Sequence, residues 1–156
     1  MAENKKYRLT DETIEVDGVT LYRIEALKTF GDVKSGDKGG YIQQEKNLSQ
    51  ERYCWVYGNA MVFGNAEVFG NAEVYDNAKV FGDAKVSKLE DYIVFKNWWS
   101  SGRYFTWTRS NDKWKVGCFY GTGEELIAKA YKDSENSGRE YERVVRFVEL
   151  ILKDNR

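Results

Sequence analysis

From Val56 to Val86 the chain writes one six-residue phrase five times over: valine, an aromatic ring, Gly or Asp, Asn or Asp, alanine, and one free position. Valine stands at Val56, Val62, Val68, Val74, Val80 and Val86, and alanine at Ala60, Ala66, Ala72, Ala78 and Ala84. A period of six excludes an amphipathic α-helix, whose apolar face returns every three or four residues. It suits a short strand followed by a tight corner, because Gly, Asn and Asp tolerate positive φ at low cost. Three strand-and-corner units close a triangular coil, and stacked coils pair their backbones about 4.8 Å apart. Valine then fills the interior, and alanine fits where the walls converge.

Stepping the alanine column back by six reaches Cys54, Leu48, Ile42, Gly36 and Phe30, nearly all apolar or small. The period is therefore expected to begin near residue 30, with an irregular first coil, since Gln50 stands in the valine column. Asn59, Asn65, Asn71, Asn77 and Asp83 are expected at the corners, bonded to their own backbone rather than to a metal. If valine points inward, the rings that follow it point outward: Tyr57, Phe63, Phe69, Tyr75 and Phe81. An exposed apolar strip marks an interface, so these five rings are the expected oligomer contacts unless other segments of the chain cover them. Even the generous repeat spans roughly three coils, and solenoids need several units plus caps before they are stable.

The flanks supply candidates for those caps. Ile14–Val16 and Val19–Ile24 alternate around Asp17-Gly18, a strong short hairpin signal, and Tyr7–Leu9 extends the pattern. Gly31–Gly40 is glycine-rich but lacks the phosphate-loop pattern and reads as corners of the first coil. After the repeat, Tyr92–Lys96, Tyr104–Arg109 and Trp114–Tyr120 read as three aromatic strands. Thr122-Gly123-Glu124-Glu125 is a capping box opening a helix to about Tyr131. A polar loop over Lys132–Gly138 then leads to a helix from about Arg139 to Lys153, with Tyr141, Val144, Val145, Val148, Ile151 and Leu152 on one face.

Asn97–Lys115 is chemically the richest stretch, with tryptophans interleaved among arginine and lysine. Rings stack a planar base while cations hold phosphates, so Trp98, Trp99, Arg103, Tyr104, Trp107, Arg109, Trp114 and Lys115 are the candidate ligand residues. On strand alternation, Tyr104, Thr106 and Thr108 share one face and Phe105, Trp107 and Arg109 the other; one face must serve a core.

Composition narrows the function classes. The 156 residues carry 24 basic and 25 acidic side chains, a balance that argues against binding duplex DNA through bulk charge. No apolar run is long enough to span a membrane, and the N-terminus does not read as a signal peptide. Cys54 and Cys118 are expected as buried reduced thiols of a cytoplasmic protein. Histidine and proline are both absent, which removes the commonest general base and metal ligand.

The Val-x-Gly-Asn-Ala-x units resemble the hexapeptide repeat of left-handed β-helix proteins. That resemblance implies a mainly β fold: a short left-handed parallel β-helix over residues 30–87, an N-terminal β-hairpin cap over 1–29, and a C-terminal cap of β-meander plus two helices over 88–156. Acyltransferases of that fold use a catalytic histidine, and its carbonic anhydrases bind zinc through three. With no histidine here, the chain is expected to be no enzyme, with no catalytic residue, metal or cofactor. The whole chain also resembles a group of bacteriophage and prophage proteins of Gram-positive bacteria, often labelled polymer-forming cytoskeletal-like. The residues that carry this likeness are Tyr7–Ile24, the GNA run Gly58–Ala84, and WKVGCFYGTGEEL at Trp114–Leu126. It implies a phage accessory protein in the host bacterial cytoplasm, a homo-oligomeric trimer or dimer that sequesters a small nucleotide-type signal to evade host antiviral defence. The alternatives are a protein inhibitor of a host defence enzyme or nuclease, and a structural or assembly component.

Overall fold

The computed structural model describes residues 4–154. Strand β1 (Tyr7–Val16) and strand β2 (Val19–Ala26) form an antiparallel hairpin, closed at Asp17-Gly18 with φ of 52° and 79°. A register shift between Leu9 and Thr13 lets β1 run unbroken past its polar centre. Strand β3 (Lys38–Ile42) adds antiparallel to β2. Six two-residue strands follow, one ending at each of the six valines: β4 (Trp55–Val56), β5 (Met61–Val62), β6 (Glu67–Val68), β7 (Glu73–Val74), β8 (Lys79–Val80) and β9 (Lys85–Val86).

These strands pair in parallel eighteen residues apart, Met61 with Lys79, Trp55 with Glu73 and Glu67 with Lys85. All six valines and five alanines of the repeat are buried in one cluster with Ile24, Ile42, Leu48, Cys54 and Trp55. The positive-φ corner falls on Gly58, Gly64, Gly70 and Gly82. In the fourth unit Asp76 replaces glycine, and the positive φ moves one place on, to Asn77 at 74°. Asp76 Oδ1 instead accepts from the backbone N–H of Asn59 at 2.6 Å, on the coil before. Its carboxylate sits where a Cβ on Gly58 would have to go.

The expected fold class, one regular left-handed parallel β-helix with caps, is corrected here. The molecule is mainly β, but as several small sheets of mixed orientation with a C-terminal helix pair. The β1-β2-β3-β5-β8 sheet begins antiparallel and ends parallel, while β4-β7 and β6-β9 stand as separate two-stranded ladders. The physical cause is the shortness of each unit. Two strand residues between corners carry few ladder bonds, and the N-terminal hairpin takes up the free edge of β3. Three of the corner amides also depart from expectation, bonding other segments rather than their own backbone. Asn59 Oδ1 accepts from Arg23, Asn65 Oδ1 from Lys46 and Asn71 Oδ1 from the Tyr53 N–H.

Beyond the repeat, strands β10 (Tyr92–Lys96), β11 (Tyr104–Thr108), β12 (Lys113–Val116) and β13 (Phe119–Gly121) form an antiparallel meander. The single strand expected over Trp114–Tyr120 is thus a hairpin, turned at Gly117-Cys118, where Gly117 has φ 54°. Helix α1 (Gly123–Asp133) starts at the expected capping box: Thr122 Oγ1 accepts from Glu125 N–H, and Glu125 Oε1 from Thr122 N–H. Helix α2 (Glu135–Asp154) starts earlier than expected. Only Ser134 separates the helices, and its hydroxyl accepts from the Ser137 N–H in the first turn.

Both faces of β11 are used. Phe105 and Trp107 enter a second core with Trp114, Leu126, Tyr141, Val145 and Val148. Thr106 faces the repeat instead, where its hydroxyl accepts from the Lys79 backbone N–H at 2.9 Å. The tip of the N-terminal hairpin completes the junction, as the Asp17 carboxylate accepts from buried Lys115 Nζ at 2.6 Å. Among the described residues no helix is long and apolar enough to cross a membrane.

Candidate ligand cleft

Between β10 and β11 the chain makes a turn whose centre is the buried side chain of Asn97. Asn97 Oδ1 accepts from the N–H groups of Trp99 and Ser100 and from the Ser100 hydroxyl, while Nδ2 donates to Tyr141 Oη at 3.2 Å. Two backbone bonds close the turn, Asn97 N–H to Arg103 O and Gly102 N–H to Asn97 O. The next two residues, Arg103 and Tyr104, are therefore held in place by a satisfied buried amide rather than by a loose loop.

They stand at the shared wall of two adjoining cavities of about 360 and 410 Å³. The first lies between the meander and the helices, over Phe105, Phe119 and Tyr141. The second lies against the repeat, over Met61, Asn77, Ala78 and Lys79. Gly117 lines both, beside Arg103, and its φ of 54° is what a glycine adopts freely at this turn. Among the described residues neither Arg103 nor Lys79 has an ion pair or a side-chain hydrogen bond. Lys129, at the rim of the first lobe, is paired with Asp133 at 3.3 Å. Two cations without a direct ion pair, beside an exposed phenol ring, suit a small anion that carries a planar group.

Of the eight ligand residues expected from the sequence, the structure brings two, Arg103 and Tyr104, into this cleft. Trp98 is 70% exposed and meets Trp99 edge-on outside it. Trp99 packs edge-on against Tyr141, with its indole N–H toward Ser137 Oγ at 3.4 Å. Trp107 and Trp114 are core residues with no free face; the Trp107 indole N–H donates to Asp112 at 2.8 Å. Arg109 donates to Glu90 O and leans over the Trp107 ring. Lys115 is 4% exposed, paired with Asp17 and resting 4.9 Å from the centre of the Phe81 ring.

The five repeat rings divide by wall. Phe63 is fully buried under the N-terminal hairpin with Leu21 and Tyr41, and Phe81 is covered by Tyr120 at 4.9 Å. Tyr57 and Tyr75 stack at 4.9 Å on an open wall, with Tyr75 46% exposed, and Phe69 is partly open on the third. The Tyr75 hydroxyl donates to Glu73 at 2.6 Å, and that bond to a carboxylate pushes its pKa up to about 12. Chain segments thus cover one wall's rings and leave Tyr75 and Phe69 exposed and Tyr57 half-buried.

Sequence reasoning missed Lys79, Asn77, Gly117 and Cys118 as cleft residues. The first two look like ordinary repeat positions, and only the docking of the meander onto β8 brings them to Arg103. Cys118 corrects a further expectation, since it is exposed at the β12–β13 turn and lines the first lobe. Cys54 is buried, and burial pushes its thiol up. Its neighbour Lys6 is buried as well, which lowers the amine's pKa, yet Nζ still donates to Cys54 O at 2.6 Å.

No family model matches the chain. An uncharacterized acetyltransferase of Escherichia coli, YdcK, is 41% identical over 61 residues, covering 34% of this chain and 19% of the relative. The chain therefore spans about a fifth of that relative's length. Together with the period of six, the likeness fits a hexapeptide-repeat-like chain and says nothing of phages. It also corrects the expectation that the chain is no enzyme. A relative that bears an acetyltransferase name reopens acyl transfer, which the missing histidine had closed.

Proposed function

We propose that this chain binds a small nucleotide-type anion in the cleft between the repeat and the C-terminal meander. The observation that carries the proposal is the Arg103–Tyr104 pair, held by the Asn97 turn at the wall shared by two cavities. The guanidinium supplies a planar fork for phosphate oxygens, and the phenol ring a face for a base. In the phage and prophage setting implied by the resemblance, the role is to withhold a nucleotide signal from host antiviral defence. A dimer or trimer would meet on the walls that leave Tyr75 and Phe69 exposed, and native mass spectrometry counts the subunits.

The test is calorimetric titration with a panel of nucleotides. Binding that Arg103→Ala weakens by about tenfold or more, the value of one charge-assisted contact pair, supports the proposal. Affinity unchanged by Arg103→Ala places the ligand elsewhere.

The E. coli relative favours a second reading, acetyl transfer. An acceptor amine would attack the acetyl carbon of a thioester donor, the carbon–sulphur bond would break, and the acceptor's proton would end on the released thiol. Thiol release from a thioester donor, measured with and without an amine acceptor, separates the two readings. Acceptor-dependent release that Arg103→Ala abolishes selects transfer, and binding without release selects sequestration.

A further inference from the structure

We infer that the ligand of the cleft is a dinucleotide, with one nucleoside end in each lobe and the joining phosphate at Arg103; this rests on reading the cleft as a nucleotide site. Three features of the cleft lead there.

The first is partition. Arg103, Tyr104 and Gly117 line both cavities, so the cation stands at the boundary between two lobes rather than at the end of one. A single nucleotide with its phosphate on Arg103 would occupy one lobe and leave the other unused. Each lobe alone, at about 360 and 410 Å³, falls within the ordinary range for a small-molecule site.

The second is the chemistry of the two lobes. The helix-side lobe has an aromatic floor in Phe105, Phe119 and Tyr141, with Ser101 on its rim, which suits a flat base with polar edges. The repeat-side lobe sets Met61 beside Asn77, with the Ala78 side chain turned into the repeat core. Among the described residues the Asn77 amide makes no side-chain hydrogen bond, whereas its repeat counterparts at Asn59, Asn65 and Asn71 each accept one from another segment. Asn77 is thus the repeat amide left with both donor and acceptor for a ligand edge, and it is the residue the Asp76 substitution turned into the positive-φ corner.

The third is charge. Among the described residues lining the cleft, Arg103 and Lys79 are the cations with no direct ion pair, Lys79 acting on the Asp17 carboxylate only from a distance, and the Lys129 charge is balanced by Asp133. Two positive charges match the one or two phosphate charges that link two nucleosides. They fall short of a triphosphate, which would carry more negative charge than the cleft can offset.

Calorimetry with four probes tests this: NAD, diadenosine diphosphate, AMP and inorganic phosphate, on the full chain at one low salt concentration. At least one of the two dinucleotides binds about tenfold or more tightly than AMP, and phosphate binds weakest. Asn77→Gly, which keeps a residue at ease with positive φ, and Lys79→Gln each bring the dinucleotide's affinity to within about threefold of AMP's. Thermal unfolding of both variants confirms that they remain folded, and the wild-type comparison stands without them. AMP binding as tightly as either dinucleotide overturns the two-lobe inference and leaves the nucleotide reading intact. Phosphate binding as tightly as AMP also overturns it, leaving an anion site only. If no nucleotide binds, both fall.

Discussion

The repeat and the C-terminal meander solve the same packing problem with opposite materials. The repeat fills its interior with many small side chains, Val and Ala at fixed intervals, each buried against neighbours one coil away. The meander concentrates its core in a few large rings, Phe105, Trp107, Trp114 and Tyr141, set between a sheet and two helices. A core of small equal parts distributes its stability, whereas a core of rings stakes it on single residues. The cleft lies where the two meet, and its walls need both to be folded.

The largest expected effect breaks the ring core. Trp107→Ala removes a fully buried indole and leaves its partner Asp112 without the N–H at 2.8 Å, so it costs about 4 kcal/mol in chemical denaturation. Val62→Ala, at the centre of the repeat, loses two buried methyl groups and costs about 2 kcal/mol. Equal losses at the two sites would erase the contrast between the cores.

The tie between the hairpin and the meander sharpens the contrast. The hydrogen bond from Lys115 holds the Asp17 carboxyl below its ordinary pKa of 3.8. An acid whose folded pKa is depressed stabilises the fold above its unfolded value, and that share is lost as pH falls through the lower folded value. Stability measured by denaturation therefore declines below about pH 4, and Asp17→Asn flattens that limb. At neutral pH, Asp17→Ala leaves a buried ammonium unpaired and costs about 2 kcal/mol, since the Asp17 side of the bridge keeps some solvent contact. The smallest effect lies within the repeat. Asp76→Gly restores the consensus residue but removes the acceptor for Asn59 N–H, and lowers the melting free energy by about 1 kcal/mol.

The inward set of the repeat was legible from the sequence because a strict period leaves little freedom. Every valine and alanine that the spacing placed inside is inside. The pairing of strands into sheets was not legible. Whether two-residue strands join one regular helix or several small sheets depends on what binds their edges, and here β2 does so from outside the period, through β3. The aromatic segment shows the same limit at the site. Composition marked Asn97–Lys115 as rich in rings and cations, yet alternation alone could not tell that both faces of β11 would be covered. Trp107 went to one core, Thr106 to the repeat, while Arg103 and Tyr104 beside the Asn97 turn stayed open.

The location of the ligand is the central claim, and NMR titration tests it most directly. With AMP added to isotope-labelled protein, the account predicts amide shifts concentrated at Arg103, Tyr104, Gly117 and Cys118, with little change at Trp98, Tyr57 or Tyr75. Shifts concentrated on the Tyr57–Tyr75 wall, or none at saturating AMP, would contradict it.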